Sequence, residues 1–175
     1  DSLTIHNHLF DDRVNSIADV GSGAGFPGMV LAICIPQKTF YLIEPLKKRC
    51  LFLEEVKKSL GLNNVFIINE RSEKLTDEFD VVISRAVANL SILLEICVPI
   101  TKVGGICIAM KGSNGMAELK NAENAIEKLD VKVNKVEELF LPVEESKRIN
   151  IYFEKKKKTD HKYPRNYSQK KNKPL

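Results

Sequence analysis

Asp19-Val20-Gly21-Ser22-Gly23-Ala24-Gly25-Phe26-Pro27-Gly28 joins one apolar run, Ile17-Ala18-Asp19-Val20, to another, Met29 to Ile35. Four glycines within eight residues between two such runs predict a strand, a tight turn and a helix start. That geometry lets backbone N–H groups approach a ligand closely. Two patterns overlap here. Gly23-Ala24-Gly25-Phe26-Pro27-Gly28 satisfies the G-x-G-x-x-G of dinucleotide-binding folds. Gly21, Gly23 and Gly25 also form the G-x-G-x-G of a nucleoside-type cofactor such as S-adenosylmethionine.

Outward from this turn, strands and helices alternate from about Ser16 to Leu129. The first helix must end before Pro36. Thr39 to Glu44 reads as a second buried strand, and Leu46 to Leu60 as a helix with apolar residues at Leu46, Cys50, Leu53, Val56 and Leu60. Gly61 is placed to cap it. Val65–Asn69, Asp80–Ser84 and Gly105–Met110 read as further strands, with helices over Leu90–Val98 and Glu118–Leu129. Such βαβ repetition gives a parallel sheet with helices on both faces. The ending differs. Val131–Leu141 and Arg148–Lys155 are β-rich runs joined only by residues 142–147, too few for a crossover helix, so this pair must be antiparallel. The fold class is therefore α/β, with a seven-stranded, mostly parallel sheet ending in an antiparallel β-hairpin. This is the Rossmann-like layout of class I S-adenosylmethionine-dependent methyltransferases, whereas a dinucleotide-binding fold would more simply add a sixth parallel strand.

At 175 residues the chain is long enough for one full core. It begins at Asp1 without a signal-like segment and is read as a fragment lacking its natural N-terminus. No apolar run approaches the ~20 residues of a membrane span. Cys34, Cys50, Cys97 and Cys107 lie in apolar stretches without C-x-x-C spacing, and are expected as buried free thiols in a reducing compartment. His6 and His8 form an H-x-H without acids at ligand spacing, so no metal is expected. The net charge of +4 conceals a split. Residues 155–175 carry nine Lys and Arg against one acid, leaving 18 bases and 22 acids elsewhere. The expected division is a domain over residues 1–157 and a basic, flexible tail over 158–175. Lys155 to Lys158, with Lys162, Arg165, Lys170, Lys171 and Lys173, offers either a polyanion contact or a solvated terminus.

Ligands of open α/β sheets bind at the carboxyl ends of the strands. There Asp19 and Gly21 end the first strand, with Gly23, Gly25 and the apolar wall Phe26 in the turn. Glu44 ends the second strand, 23 residues after Gly21, where a carboxylate accepts ribose hydroxyl protons. Pro45 keeps Glu44 extended. Arg71-Ser72-Glu73 follows the third strand and can read an adenine edge. Arg85 and Lys111 end the fourth and fifth strands as cations beside the substrate entrance, suited to an anion.

The fourth strand ends in Ser84-Arg85-Ala86-Val87, without the Asn/Asp-Pro-Pro-aromatic tetrad of exocyclic-amine methylation. Cys97 and Cys107 fall in a helix and a strand, away from any active strand tip. A target needing neither general base nor covalent nucleophile fits best. Guanine N7 is such a target, attacked in line at about 3 Å with catalysis by alignment. Arg85 would then meet O6, a phosphate or the cofactor instead of N7, which becomes positive. A nicotinamide-dependent oxidoreductase and a non-catalytic RNA-binding module remain the alternatives.

DVGSGAGFPG, IEPLKKRCLFLEE, RSEKL, VISRAVANL and AMKG, in this order, resemble the bacterial RsmG family, also called GidB. The resemblance runs from Asp1-Ser2-Leu3 to about Lys158, and the Tyr163-Pro164-Arg165 segment is similar too. It implies S-adenosylmethionine-dependent formation of 7-methylguanosine in 16S ribosomal RNA, with S-adenosylhomocysteine as product. The implied partner is 16S RNA or the small ribosomal subunit, met by a monomeric, cytoplasmic enzyme without a membrane partner. Family cofactor contacts fall on the positions of Gly21, Phe26, Ser72-Glu73 and Arg85. The family often has aspartate at the position of Glu44, and carries an N-terminal helical segment absent from this sequence.

Overall fold

The computed structural model describes residues 1–143 and 145–175. Glu144, in the expected linker between the last two strands, lies outside the described residues. A 3₁₀ helix, Ser2–Leu9, leads into β1 (Ser16–Val20), α1 (Gly28–Cys34), β2 (Thr39–Ile43), α2 (Lys47–Ser59) and β3 (Val65–Ile68). A 3₁₀ turn, Ser72–Lys74, precedes β4 (Phe79–Arg85), α3 (Leu90–Cys97), β5 (Thr101–Lys111), α4 (Gly115–Asn121) and α5 (Glu123–Lys128). β6 (Val131–Phe140) and β7 (Lys147–Lys155) form the closing hairpin, and α6 (Tyr167–Asn172) lies in the basic C-terminal segment.

The seven strands form one sheet in the order β3-β2-β1-β4-β5-β7-β6. β1 pairs in parallel with β2 and β4, while β7 runs antiparallel to β5 and β6. The chain reverses direction across the sheet between β1 and β4, so the ends of β1, β2 and β4 open a crevice there. Side chains alternate between faces, as strand geometry demands. Ile17, Val81, Ile83, Ile108 and Met110 meet α1, α2 and the N-terminal 3₁₀ helix through Leu31, Leu53, Ile5 and Leu9. Ala18, Val20, Val82, Cys107 and Ala109 meet α3 and α5 through Leu93, Leu94 and Ala125. Each fully buried leucine contributes about 1.5–3 kcal/mol, which fixes the strand register.

Several expectations are corrected. Leu46 and Leu60 flank α2 and are exposed, whereas Cys50 and Leu53 are buried and Val56 packs against the core. The expected Glu118–Leu129 helix starts earlier, at Gly115, and is broken into α4 and α5 at Ala122, whose φ and ψ of −97° and 7° leave helical geometry. Cys34 is exposed while the other three cysteines are buried. α1 is apolar all round, so its sequence could not tell the outward face, which also carries half-exposed Ile33.

In the basic segment, expected as a solvated terminus or a polyanion contact, three bases turn inward. Lys155 is 1% exposed and its Nζ donates to the Thr101 and Pro99 carbonyls at 2.6 and 3.2 Å. Burial holds this amine below its usual range, against the opposing charge of Glu78. Arg165 grips the fully buried Glu95 through Nε and Nη2 at 2.8 and 2.7 Å. Lys170 is buried against Glu73, and Leu175 joins the core. These three bases answer internal acids and carbonyls, while Lys156, Lys157, Lys158, Lys162, Lys171 and Lys173 stay exposed. Among the described residues, no helix is long and apolar enough to cross a membrane.

Candidate functional site

The glycine-rich turn packs across the end of β2. Gly21 and Ser22 donate their N–H groups to the Ile43 carbonyl at 2.9 and 3.3 Å. Gly25 and Phe26 donate to the Ser22 carbonyl at 2.7 and 3.2 Å. Two carboxylates pin the remainder, Glu44 accepting from Gly23 N at 3.0 Å and Asp19 from Gly28 N at 3.0 Å. Gly21 has φ of +75°, and a Cβ there would lie 2.4 Å from Val87 Cγ2. Only glycine allows this turn to sit against the Val87 loop. At Gly28 a Cβ would lie 2.4 Å from Leu42 Cδ2 and 2.7 Å from Asp19 Oδ2, which sets the close packing of α1 on the sheet.

Glu44 is 2% exposed and also accepts from Leu46 N at 2.9 Å, with the half-exposed Arg49 at 3.4 Å. An ionised carboxylate has about four acceptor sites. Glu44 thus fastens the turn and keeps acceptor capacity toward the cavity beside it. Asp19 lies behind the turn and does not line that cavity; its Oδ1 is buried without a partner among the described residues. Burial pushes its carboxyl up to about 6, against the Gly28 hydrogen bond and the Arg85 charge.

A cavity of about 450 Å³ opens at the ends of β1, β2 and β3. Of the predicted residues, Gly21, Glu44, Ser72 and Glu73 line it, together with Arg71, Val87, Tyr167 and Lys170. Gly23 reaches it only through its bond to Glu44, while Gly25 and Phe26 stand outside its walls. Phe26 is half-exposed, with the Arg85 guanidinium 5.7 Å from its ring centroid. Lys170 Nζ stands 2.6 Å from Glu73 Oε1. Desolvation works against the Glu73 charge, yet the Lys170 hydrogen bond and charge hold the carboxyl below its ordinary range.

A second cavity, of about 750 Å³, adjoins the first across Ala86, Val87 and Ala88. Arg85 and Lys111 line it with Asp1, Glu118 and Arg148. Arg85 Nη1 and Arg148 Nε converge on Asp1 Oδ2 at 3.1 and 3.3 Å. Lys111, expected as a cation facing substrate, is 7% exposed and bonds the Ala88 carbonyl at 2.7 Å and Glu118 at 2.8 Å. Glu118 in turn accepts from Leu90 N, and Asn89 caps α3 by accepting from Ile92 N. Lys111 therefore braces the loop whose Ala86 has φ of +57°, a conformation a non-glycine residue holds only when its surroundings enforce it.

Sequence reasoning missed Tyr167, Lys170, Arg148 and Asp1. Their only signal was the position of Asp1 and Tyr163-Pro164-Arg165 at the two ends of the resemblance, because each meets its partner across long stretches of chain.

This sheet order, with its crevice and closing hairpin, is the class I methyltransferase fold. M. jannaschii TYW2, solved in complex with AdoMet, superposes with a TM-score of 0.67 at 19% identity, covering 88% of this chain and 76% of that one. The SAM-dependent O-methyltransferase TM0748 of Thermotoga maritima gives 0.66 at 18% identity, covering 91% and 66%. The family model GidB, rRNA small subunit methyltransferase G, matches residues 1–148, and the chain belongs to this family. Ribosomal RNA small subunit methyltransferase G of Brevibacillus brevis is 44% identical over 119 residues, 65% of this chain and 50% of that protein. Its Bacillus cereus counterpart is 38% identical over 171 residues, 94% of this chain and 72% of that protein. The chain spans about half the length of several of these relatives.

Proposed function

We propose that the chain binds S-adenosylmethionine in the smaller cavity and directs its methyl group to N7 of a guanosine in 16S ribosomal RNA, in the cytoplasm. One observation carries the choice of cofactor. Six N–H groups of the glycine-rich turn, those of Gly21, Ser22, Gly23, Gly25, Phe26 and Gly28, are already donated to carbonyls or carboxylates. A pyrophosphate would need such donors, and the Gly28 N–H at the helix start is already taken by Asp19 from behind the turn, so a dinucleotide is disfavoured. A nucleoside cofactor without phosphates fits this donor set, and the AdoMet-bound fold relative and the family description point the same way.

When bound, S-adenosylmethionine supplies an electrophilic methyl on sulfur. Glu44 would accept from the ribose hydroxyls, with exposed Arg49 free to swing aside. Ser72 and Glu73 would meet the adenine edge, and Gly21 would permit close approach. Arg85, in the next cavity, would position the acceptor through phosphate or O6, with Arg148 beside it. No cysteine lines either cavity among the described residues, which suits an acceptor that attacks without a covalent enzyme intermediate.

The test has two parts. S-adenosylhomocysteine should raise the melting temperature and NAD should not; the reverse result would restore the oxidoreductase reading. Labelled methyl transfer to small-subunit RNA from a strain lacking the protein should then yield 7-methylguanosine. Label in any other nucleoside would refute the N7 assignment, and binding without any transfer would favour an RNA-binding module.

A further inference from the structure

The geometry points to a second role for the C-terminal segment: residues 163–175 form a strap that completes the cofactor cavity, with Tyr167 as a wall for the adenine and Lys170 as the positioning residue of Glu73. This rests on the S-adenosylmethionine reading above. Strap docking and cofactor binding then strengthen each other.

Three anchors and one internal cap lay the strap down. Tyr163 packs against the core, and Arg165 closes on Glu95 with its backbone N–H, Nε and Nη2 at 2.7–2.8 Å. Asn166 and Gln169 cap α6 reciprocally, and Leu175 enters the core at the far end. Between these anchors α6 turns two side chains to the cavity, Tyr167 and Lys170. Mere attachment does not require a lysine in that place. An amine 2% exposed is costly to bury unless a carboxylate answers it, and Glu73, 97 residues upstream, answers Lys170 at 2.6 Å. Lys170 holds Oε1 and leaves Oε2 only a long contact to Ser72 at 3.5 Å. Oε2 is thereby kept as a charged acceptor, the group an exocyclic amine of a base requires. Tyr167, by contrast, is 62% exposed at the cavity mouth, with Arg71 5.9 Å from its ring centroid. A flat ring left open to water beside a nucleoside-sized cavity offers a stacking surface. Because the strap contributes walls, a ligand in the cavity must favour its docked state, and reciprocity follows.

The experiment uses the full chain and two readouts: calorimetric affinity for S-adenosylhomocysteine, and the rate of tryptic cleavage at the strap lysines with and without it. In the wild type, saturating ligand should slow strap cleavage severalfold. With cleavage read at the residue 171–172 bond, Lys170→Gln should weaken binding about tenfold and speed cleavage, while Lys171→Arg, exposed on the same helix and still a tryptic site, should change neither. Tyr167→Ala should weaken binding about tenfold while circular dichroism and melting stay unchanged. Unchanged cleavage with ligand, together with Tyr167→Ala and Lys170→Gln affinities within twofold of wild type, would overturn the proposal. Should Lys170→Gln fail to fold, ligand protection in the wild type and the Tyr167→Ala affinity decide alone. A wild type that binds no S-adenosylhomocysteine would overturn the cofactor reading and this inference together, whereas binding without strap coupling would overturn only this inference.

Discussion

The two cavities share the Ala86–Ala88 wall, yet they hold their charges in different ways. In the smaller one, Glu44 is fixed by backbone donors of the adjacent turn and loop, and Glu73 by a lysine buried in the strap. In the larger one, Arg85 and Arg148 meet on the partly exposed Asp1, a contact that another anion could replace. On the proposed function, the first is a preorganised receptor for a small molecule, and the second holds cations under a carboxylate that an RNA phosphate would displace.

Gly21→Ala should break the comparison most completely. The added Cβ meets Val87 in a left-handed conformation, so binding of S-adenosylhomocysteine should be lost and stability fall by about 2–4 kcal/mol, read by calorimetry and urea unfolding. Glu44→Gln keeps the shape and removes the charge. Affinity for S-adenosylhomocysteine should drop about 10- to 100-fold, as expected for charge-assisted hydrogen bonds. Arg85→Gln should sharpen the contrast: affinity for S-adenosylhomocysteine within about threefold of wild type, but methyl transfer to RNA reduced at least about tenfold. Equal losses in both measurements would merge the two cavities into one site.

Asp19→Asn tests the turn through pH. A carboxyl near 6 in the folded chain and about 3.9 unfolded binds more protons when folded. Stability should therefore fall as pH rises from about 4 to about 6 and stay level above, a loss of about 3 kcal/mol. Asparagine removes that fall, less about 1–2 kcal/mol for its unpartnered amide, so the variant should gain about 1–2 kcal/mol at pH 7.5 and lose about 1 kcal/mol at pH 4. Urea midpoints at both pH values decide. The smallest effect is Asp1→Asn: stability within about 0.5 kcal/mol, and RNA binding a few-fold tighter with a steeper salt dependence.

The turn, β1 to β5 and the closing hairpin were legible because their signals are local: apolar runs, glycine spacing, and a linker too short for a helix. Less was visible where packing overrides propensity. β5 begins at Thr101, four residues before its apolar run, because Gly105 lies close against the Asp80 carbonyl, where a Cβ would come within 2.7 Å. Glu44, Ser72 and Glu73 were found from strand-end logic, but the double duty of Glu44 in fastening the turn was not. The inward contacts of the strap were not legible because lysine-rich composition signals solvation, and the acids that meet Arg165 and Lys170, Glu95 and Glu73, lie 70 and 97 residues upstream. The bonds of Lys111 were hidden likewise, since a strand-end cation gives no hint of a carbonyl and a glutamate beside it.

The Ala86–Ala88 loop is gripped from both sides, by Gly21 against Val87 and by Lys111 on the Ala88 carbonyl. In the language of double-mutant cycles, substitutions at Gly21 and Lys111 then act on a common element and their free energies should not add, although the two residues line different cavities. What either cavity gains by mutation is constrained by the other.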